Sequence, residues 1–216
     1  MDHPDIIGAE AADNGNPLPD NLRERRKQLG LTMQQVADQA GLSVGFISQI
    51  ERGITTPSLS SLVSVARVLG LHVSDFLAQP RVDSPRTRQD ERPVYAISRN
   101  SLTYERISSS FPGSVLRSVI IHEPPGHRNE PIAHEGEEML YVVEGKITVE
   151  VDGERSILET GDSVHFPSTK VHSTWNHGSR PATILWVGTM DVFGENEESA
   201  SRTIDKAHEV DDVKAS

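Results

Sequence analysis

Residues 31–71 read LTMQQVADQAGLSVGFISQIERGITTPSLSSLVSVARVLGL, and apolar side chains recur in them at helical spacing between stop signals roughly ten residues apart. Thr32 is placed to cap a helix whose Val36, Ala37 and Ala40 make a narrow buried stripe, and Gly41 ends it. Ser43 caps the next helix, Val44 to Arg52, in which Ile47 and Ile50 face inward and Gly53 closes the end with a left-handed residue. The spacing therefore predicts a helix, a short turn and a second helix. Pro57 and Ser58 open a further helix that sets Leu59, Leu62, Ala66 and Leu69 on one side. Upstream, a first helix runs from about Asp20 to Leu29 and stops at Gly30; downstream, Ser74 caps a last turn through Phe76 and Leu77. Five short helices over residues 20–79 can close one core.

A chain of 216 residues with 35% hydrophobic content has room for a second core. The absence of cysteine excludes disulfides and thiolate metal sites. No apolar run approaches the roughly 20 residues of a membrane span, and the acidic start is unlike a signal peptide, so no membrane partner is expected and the cytoplasm is the expected location. The net charge of −11 argues against a nucleic-acid partner only until it is divided along the chain. Residues 20–79 carry +1, whereas 1–19, 94–192 and 193–216 carry −4, −5 and −4. The acid is segregated from the helical domain, where Arg23, Arg25, Arg26 and Lys27 cluster for phosphate contacts or as a solvated face. Residues 1–19 have no apolar period and are expected to be disordered. Residues 80–93, with three prolines and seven charges, read as an extended linker, and 193–216 as an acidic tail.

Thr32, Val36, Ala37, Gly41, Ser43, Ile47, Ser48, the run Ile50-Glu51-Arg52-Gly53 and Pro57-Ser58-Leu59 together resemble the lambda-repressor-like (Xre-type) helix-turn-helix family over essentially the whole helical domain. The resemblance implies that the third helix lies in the major groove with its N-terminal residues at base edges. The DNA-contacting residues are then Gln34, Ser43, Val44, Gly45, Phe46, Ser48, Gln49 and Arg52. Gln49 is the clearest base reader because its amide can pair bidentately with adenine, while Val44 and Phe46 offer apolar contact to a thymine methyl. Met33 stands where the family has a phosphate-binding Gln, leaving that role to Gln34, and Gly45 has no side chain to read with. Arg52 either touches phosphate or pairs near Glu51.

Between Val94 and Val192 the period changes. Val115–Ile121, Met139–Val151, Ser163–Phe166 and Ala182–Val187 are short β-branched runs, read as antiparallel strands; Asp152-Gly153 is a hairpin turn, and Glu144-Gly145 and Thr160-Gly161-Asp162 are further breaks. The spacing suits a small jelly roll. HEGEEMLYVVEG (134–145) and GDSVHFPSTKVHSTWN (161–176) resemble the two motifs of the cupin family, with Ile132 in place of the leading His and Thr169 in place of a glycine. The resemblance implies that His134, Glu138 and His172 hold one divalent metal (Zn, Fe, Mn or Ni), with water or ligand at the open positions. The alternative is that the same three residues hydrogen-bond an effector. Glu130, His134, Glu138, His172 and Asn176 make the expected effector pocket, and Glu130, Glu135 and Glu137 would attract a cationic effector such as a polyamine.

The expected fold is multidomain α plus β: a five-helix lambda-repressor-like domain followed by a cupin β-barrel. This order resembles bacterial one-component regulators of the putrescine-utilisation repressor type. It implies a sequence-specific, non-enzymatic transcriptional regulator, a repressor whose barrel senses a small molecule, that binds a palindromic double-stranded operator as a homodimer. Two other readings remain: a metal-dependent oxygenase or isomerase tethered to DNA, and a dimeric DNA-binding protein that senses nothing.

Overall fold

The computed structural model describes residues 6–7, 18–73, 76, 84–98 and 101–194. Four α-helices open the chain after a short strand: β1 is Ile6–Ile7, and α1 to α4 are Leu18–Gln28, Met33–Ala40, Val44–Glu51 and Leu59–Val68. The expected fifth turn falls largely outside the described residues; only the Phe76 N–H donating to the Val73 carbonyl is seen there. Local chemistry sets the ends of these helices. Thr32 and Gln35 form a reciprocal capping box on α2, and Gly41 (φ 68°) turns the chain out of it in the left-handed region. The hydroxyls of Ser43 and Ser58 accept the Phe46 and Ser61 amides and so start α3 and α4.

Helices this short gain little stability alone, so their tertiary burial decides. Leu22, Val36, Ala37, Ile47, Ile50, Leu62, Ala66 and Leu69 are buried together between the helices. At the end of this core the Arg26 guanidinium from α1 grips Glu51 at the end of α3, Nε to Oε1 at 2.6 Å and Nη2 to Oε2 at 2.8 Å, and donates a third bond to the Leu31 carbonyl. The Glu51 hydrogen bond raises the Arg26 pKa against the opposing cost of burial. Helix α3 is thereby clamped to α1.

The remaining strands are β2 (Val94–Ala96), β3 (Thr103–Arg106), β4 (Arg117–Glu123), β5 (Glu137–Glu144), β6 (Lys146–Val151), β7 (Glu154–Glu159), β8 (Ser163–Pro167), β9 (His172–Trp175) and β10 (Ala182–Gly188). They form two facing sheets, β1-β2-β3-β4-β10-β5-β8 and β7-β6-β9. The expected Met139–Val151 run is broken at Gly145 (φ 85°), where a Cβ would meet the Pro181 carbonyl at 2.9 Å. Asp152 and Gly153, both at positive φ, make the hairpin between β6 and β7. Strict alternation along β5 and β10 sends Glu138, Leu140 and Val142, and Ile184 and Trp186, to the interior.

Two segments differ from expectation. The tail expected to be disordered contributes β1, which pairs parallel with Val94 and Tyr95, and helix α1 begins at Leu18, inside it. Its paired backbone satisfies one edge of the large sheet. The described part of the linker is fastened to the barrel by Arg92, which donates to Glu105 Oε2 on β3 at 2.9 Å and, within the linker, to Thr87 Oγ1 at 3.3 Å. The acidic tail beyond Gly194 lies outside the described residues.

Candidate functional site

Strand β5 carries Glu138 into the barrel, the loop before it carries His134, and β9 begins at His172. Ile132 and His172 bridge across this junction, each backbone N–H donating to the other's carbonyl. His134 and His172 therefore converge on one carboxylate: His134 Nε2 lies 2.8 Å from Glu138 Oε1, and His172 Nε2 lies 3.6 Å from Glu138 Oε2. One ligand atom from each of the three residues lies within 4.8 Å of the others.

The outer nitrogens decide what this cluster can hold. The Nδ1 atoms of His134 and His172 lie 3.0 and 2.8 Å from the carbonyls of Glu135 and Lys170, acceptors that require Nδ1–H. In the neutral tautomer both Nε2 lone pairs then point inward at a carboxylate. His134 Nε2 and Glu138 Oε1 lie 2.8 Å apart, buried, with no polar partner besides each other. Three converging lone-pair donors with backbone-anchored outer nitrogens are the donor set of a divalent cation. Without one, a proton is the available positive charge. The electrostatics agree: burial opposes the charged form of His134, but Glu138 raises its pKa, and Glu138 is held below the usual carboxylate range by His134 and His172 despite its own burial.

Glu138 and His172 line an internal cavity with Glu130, Asn129 and an apolar wall that includes Val119, Leu140, Ile184 and Trp186. A further carboxyl, Glu123 at the end of β4, faces the same space; it is 1% exposed and its Oε1 has no hydrogen-bond partner. Burial pushes its pKa up to about 8, only partly opposed by the Asn176 backbone N–H. Sequence reading did not find Glu123, since a lone Glu closing an apolar strand looks like an exposed strand end. Asn176, expected in the pocket, is instead a turn brace: its amide donates to the carbonyls of Glu123 and Arg180 and accepts the Gly178 N–H, and it is wholly buried. Glu135 and Glu137 are exposed outside the cavity.

On the helical domain, α3 presents Ser43, Val44, Gly45, Gln49 and Arg52 to solvent, with Ser48 half-buried. Phe46 is corrected: it is 5% exposed and packed in the core, one helical turn from Ile50 and so on the same face. It is not available to a thymine methyl. The Gln34 amide donates to Asp38 Oδ1 at 2.8 Å, and Arg52 Nε donates to the Ser48 carbonyl rather than pairing near Glu51. Arg26 is committed to Glu51, and Arg25 donates to the Leu69 carbonyl at 3.0 Å, which leaves Arg23 and Lys27 as the exposed cations of that cluster.

Comparison with known proteins matches residues 22–76 to the helix-turn-helix family and residues 119–188 to the cupin domain family. An uncharacterized HTH-type transcriptional regulator of Methanothermobacter thermautotrophicus is 40% identical over 56 residues, 26% of this chain and 81% of that one. This chain belongs to the HTH-type transcriptional regulators. Two relatives align with most of it: the regulator PuuR of Escherichia coli (strain K12), 27% identical over 84% of this chain and 100% of its own, and SutR of the same strain, 26% identical over 76% and 89%. This regulator is thus a DNA-binding transcriptional regulator with a cupin domain behind its reader. Among the described residues no helix is long and apolar enough to cross a membrane.

Proposed function

We propose that this regulator is a cytoplasmic, non-enzymatic one-component repressor whose barrel senses a small molecule, with His134, Glu138 and His172 holding a divalent ion (Zn, Fe, Mn or Ni) as part of that site. The observation that carries the reading is the cavity itself: a mostly apolar interior into which Glu123, Glu138 and His172 project. Glu123, Glu130 and Glu138 line it and, among the described residues, no lysine or arginine does, so the ligand class it favours is neutral or cationic. A bound ion would supply a fixed positive centre to orient an effector's donor atoms. The regulator names of PuuR and SutR support regulation over an oxygenase or isomerase reaction.

On the reader, Gln49 is proposed to read bases, with Ser43, Val44 and Gly45 against the groove and Ser48, Gln34 and Arg52 nearer the backbone. Homodimerisation through the barrels is supported by Met139, Tyr141 and Val143, exposed in a row on the outer face of β5. Two readers related by a two-fold axis suit a palindromic operator. The test is operator affinity with and without the small molecule that copurifies in the barrel, identified by native mass spectrometry. A shift in affinity is expected; an operator affinity that no barrel occupant changes removes the sensor and leaves a dimeric DNA-binding protein.

A further inference from the structure

Three polar or close backbone contacts stand out among the described residues where the helical domain seats on the barrel, beside apolar packing that joins the two in one buried cluster. Thr56 Oγ1 and Ser98 Oγ lie 2.6 Å apart, and the Leu59 backbone N–H donates to the buried Tyr104 hydroxyl at 3.3 Å. At the third, Gly41 approaches the barrel so closely that a Cβ there would stand 2.9 Å from the Ala133 carbonyl, one residue from His134. The result is that Ser58, Leu59 and Ser60, the first turn of α4, are part of the wall of the cavity lined by Glu123, Glu138 and His172.

With the α4 turn in place, the cavity measures about 70 Å³. That admits water and is well short of the ~150 Å³ of a cavity that takes up benzene. Yet the wall carries Glu123 Oε1, a buried carboxyl oxygen with no hydrogen-bond partner. A group that costs free energy to bury unpaired thus faces a space that admits water but no larger donor-bearing ligand. Among the lining residues only those of the α4 turn belong to a separate domain, and they are held by hydrogen bonds and apolar packing rather than by sheet pairing.

We propose that the helix-turn-helix domain is itself the movable cover of the barrel cavity. A ligand of more than a few heavy atoms, bearing a hydrogen-bond donor for Glu123, seats only when the first turn of α4 lifts from Tyr104, so occupancy and docking of the reader exclude one another. The inference rests on the sensor reading of the barrel and gives it a direct route to the DNA: domain contact, rather than strain passed along residues 80–93. In the docked pose Gln49 and Arg52 stay exposed. A dimer of docked chains therefore holds its two recognition helices at one fixed spacing, and an occupant releases them.

The test needs neither effector nor operator. The 216-residue chain has two tryptophans, Trp175 and Trp186, and no cysteine. In a Trp175→Phe background, Trp186 in the cavity wall reports access of acrylamide, a neutral probe larger than water. Adding Thr56→Cys and Ser98→Cys places a disulfide where the two hydroxyls now touch. Quenching about three-fold or more stronger in the reduced than in the oxidised protein is expected, because only the reduced cover opens. Equal quenching in both overturns the proposal. Should the cross-linked variant fold poorly, Tyr104→Phe in the same background keeps the ring and removes the hydrogen bond to Leu59. It should raise the open fraction and the quenching by about five-fold, and unchanged quenching overturns the proposal equally. A gated cavity in a protein whose operator affinity ignores every occupant would retire the sensor reading and leave the cover standing.

Discussion

Replacing Glu123 by Gln isolates the electrostatic cost of one buried carboxyl, because the side chain keeps its shape and loses its ability to ionise. In the folded protein burial raises this carboxyl from 4.5 to about 8. The folded state therefore binds the Glu123 proton more tightly than the unfolded chain does. No penalty exists below the unfolded value; the penalty accumulates as pH rises from 4.5 and levels off above about 8. At about 1.4 kcal/mol per pH unit, the cost is about 2 kcal/mol at pH 6 and about 4 to 5 kcal/mol at pH 9. Urea unfolding of the 216-residue chain, followed by Trp186 fluorescence in the Trp175→Phe background, reads the difference directly. The stability gap between Glu123→Gln and its parent should widen in the variant's favour by about 2 to 3 kcal/mol from pH 6 to pH 9. Any constant effect of the new amide cancels in that comparison. A gap that stays the same, or widens in the parent's favour, would show that Glu123 is ionised or solvated in the folded barrel.

Other outcomes follow from the same contacts. Glu51→Ala strands the Arg26 guanidinium in a buried site and should destabilise the helical domain by about 3 kcal/mol or more in thermal or urea unfolding; Arg26→Met together with Glu51→Leu should recover most of it, and a mild single-variant loss refutes the clamp. Gln49→Ala should lower affinity for the selected operator by about 1 to 3 kcal/mol with little change on random DNA, measured by titration at fixed salt; equal losses on both would place Gln49 on the backbone. After chelation and reloading with zinc, elemental analysis should find about one ion per chain, falling close to zero in His134→Ala and His172→Ala; undiminished zinc in both variants removes the metal site.

The helical domain was legible because its information is local. Caps at Thr32, Ser43 and Ser58, stops at Gly41 and Gly53, and apolar positions three and four apart are set by neighbours within one turn. The strand breaks at Gly145 and Asp152-Gly153 were legible for the same reason. Phe46 shows the limit. Its spacing to Ile50 put it on the inner face, but an aromatic near the start of a recognition helix reads equally as a DNA contact until the core is seen to take it.

Length, charge segregation, the two domains and the residues His134, Glu138 and His172 were thus determined by the sequence alone, since each rests on composition, on short-range periodicity or on a motif of fixed spacing. The tertiary structure alone decided what those residues meet. It brought two imidazoles and a carboxylate from separate strands and loops to one point, buried Glu123 against an apolar wall, turned Asn176 into a brace, and laid the first turn of α4 across the barrel. Those outcomes depend on contacts between residues tens of positions apart, and on how much water each contact excludes. Neither quantity is written in any local stretch of chain.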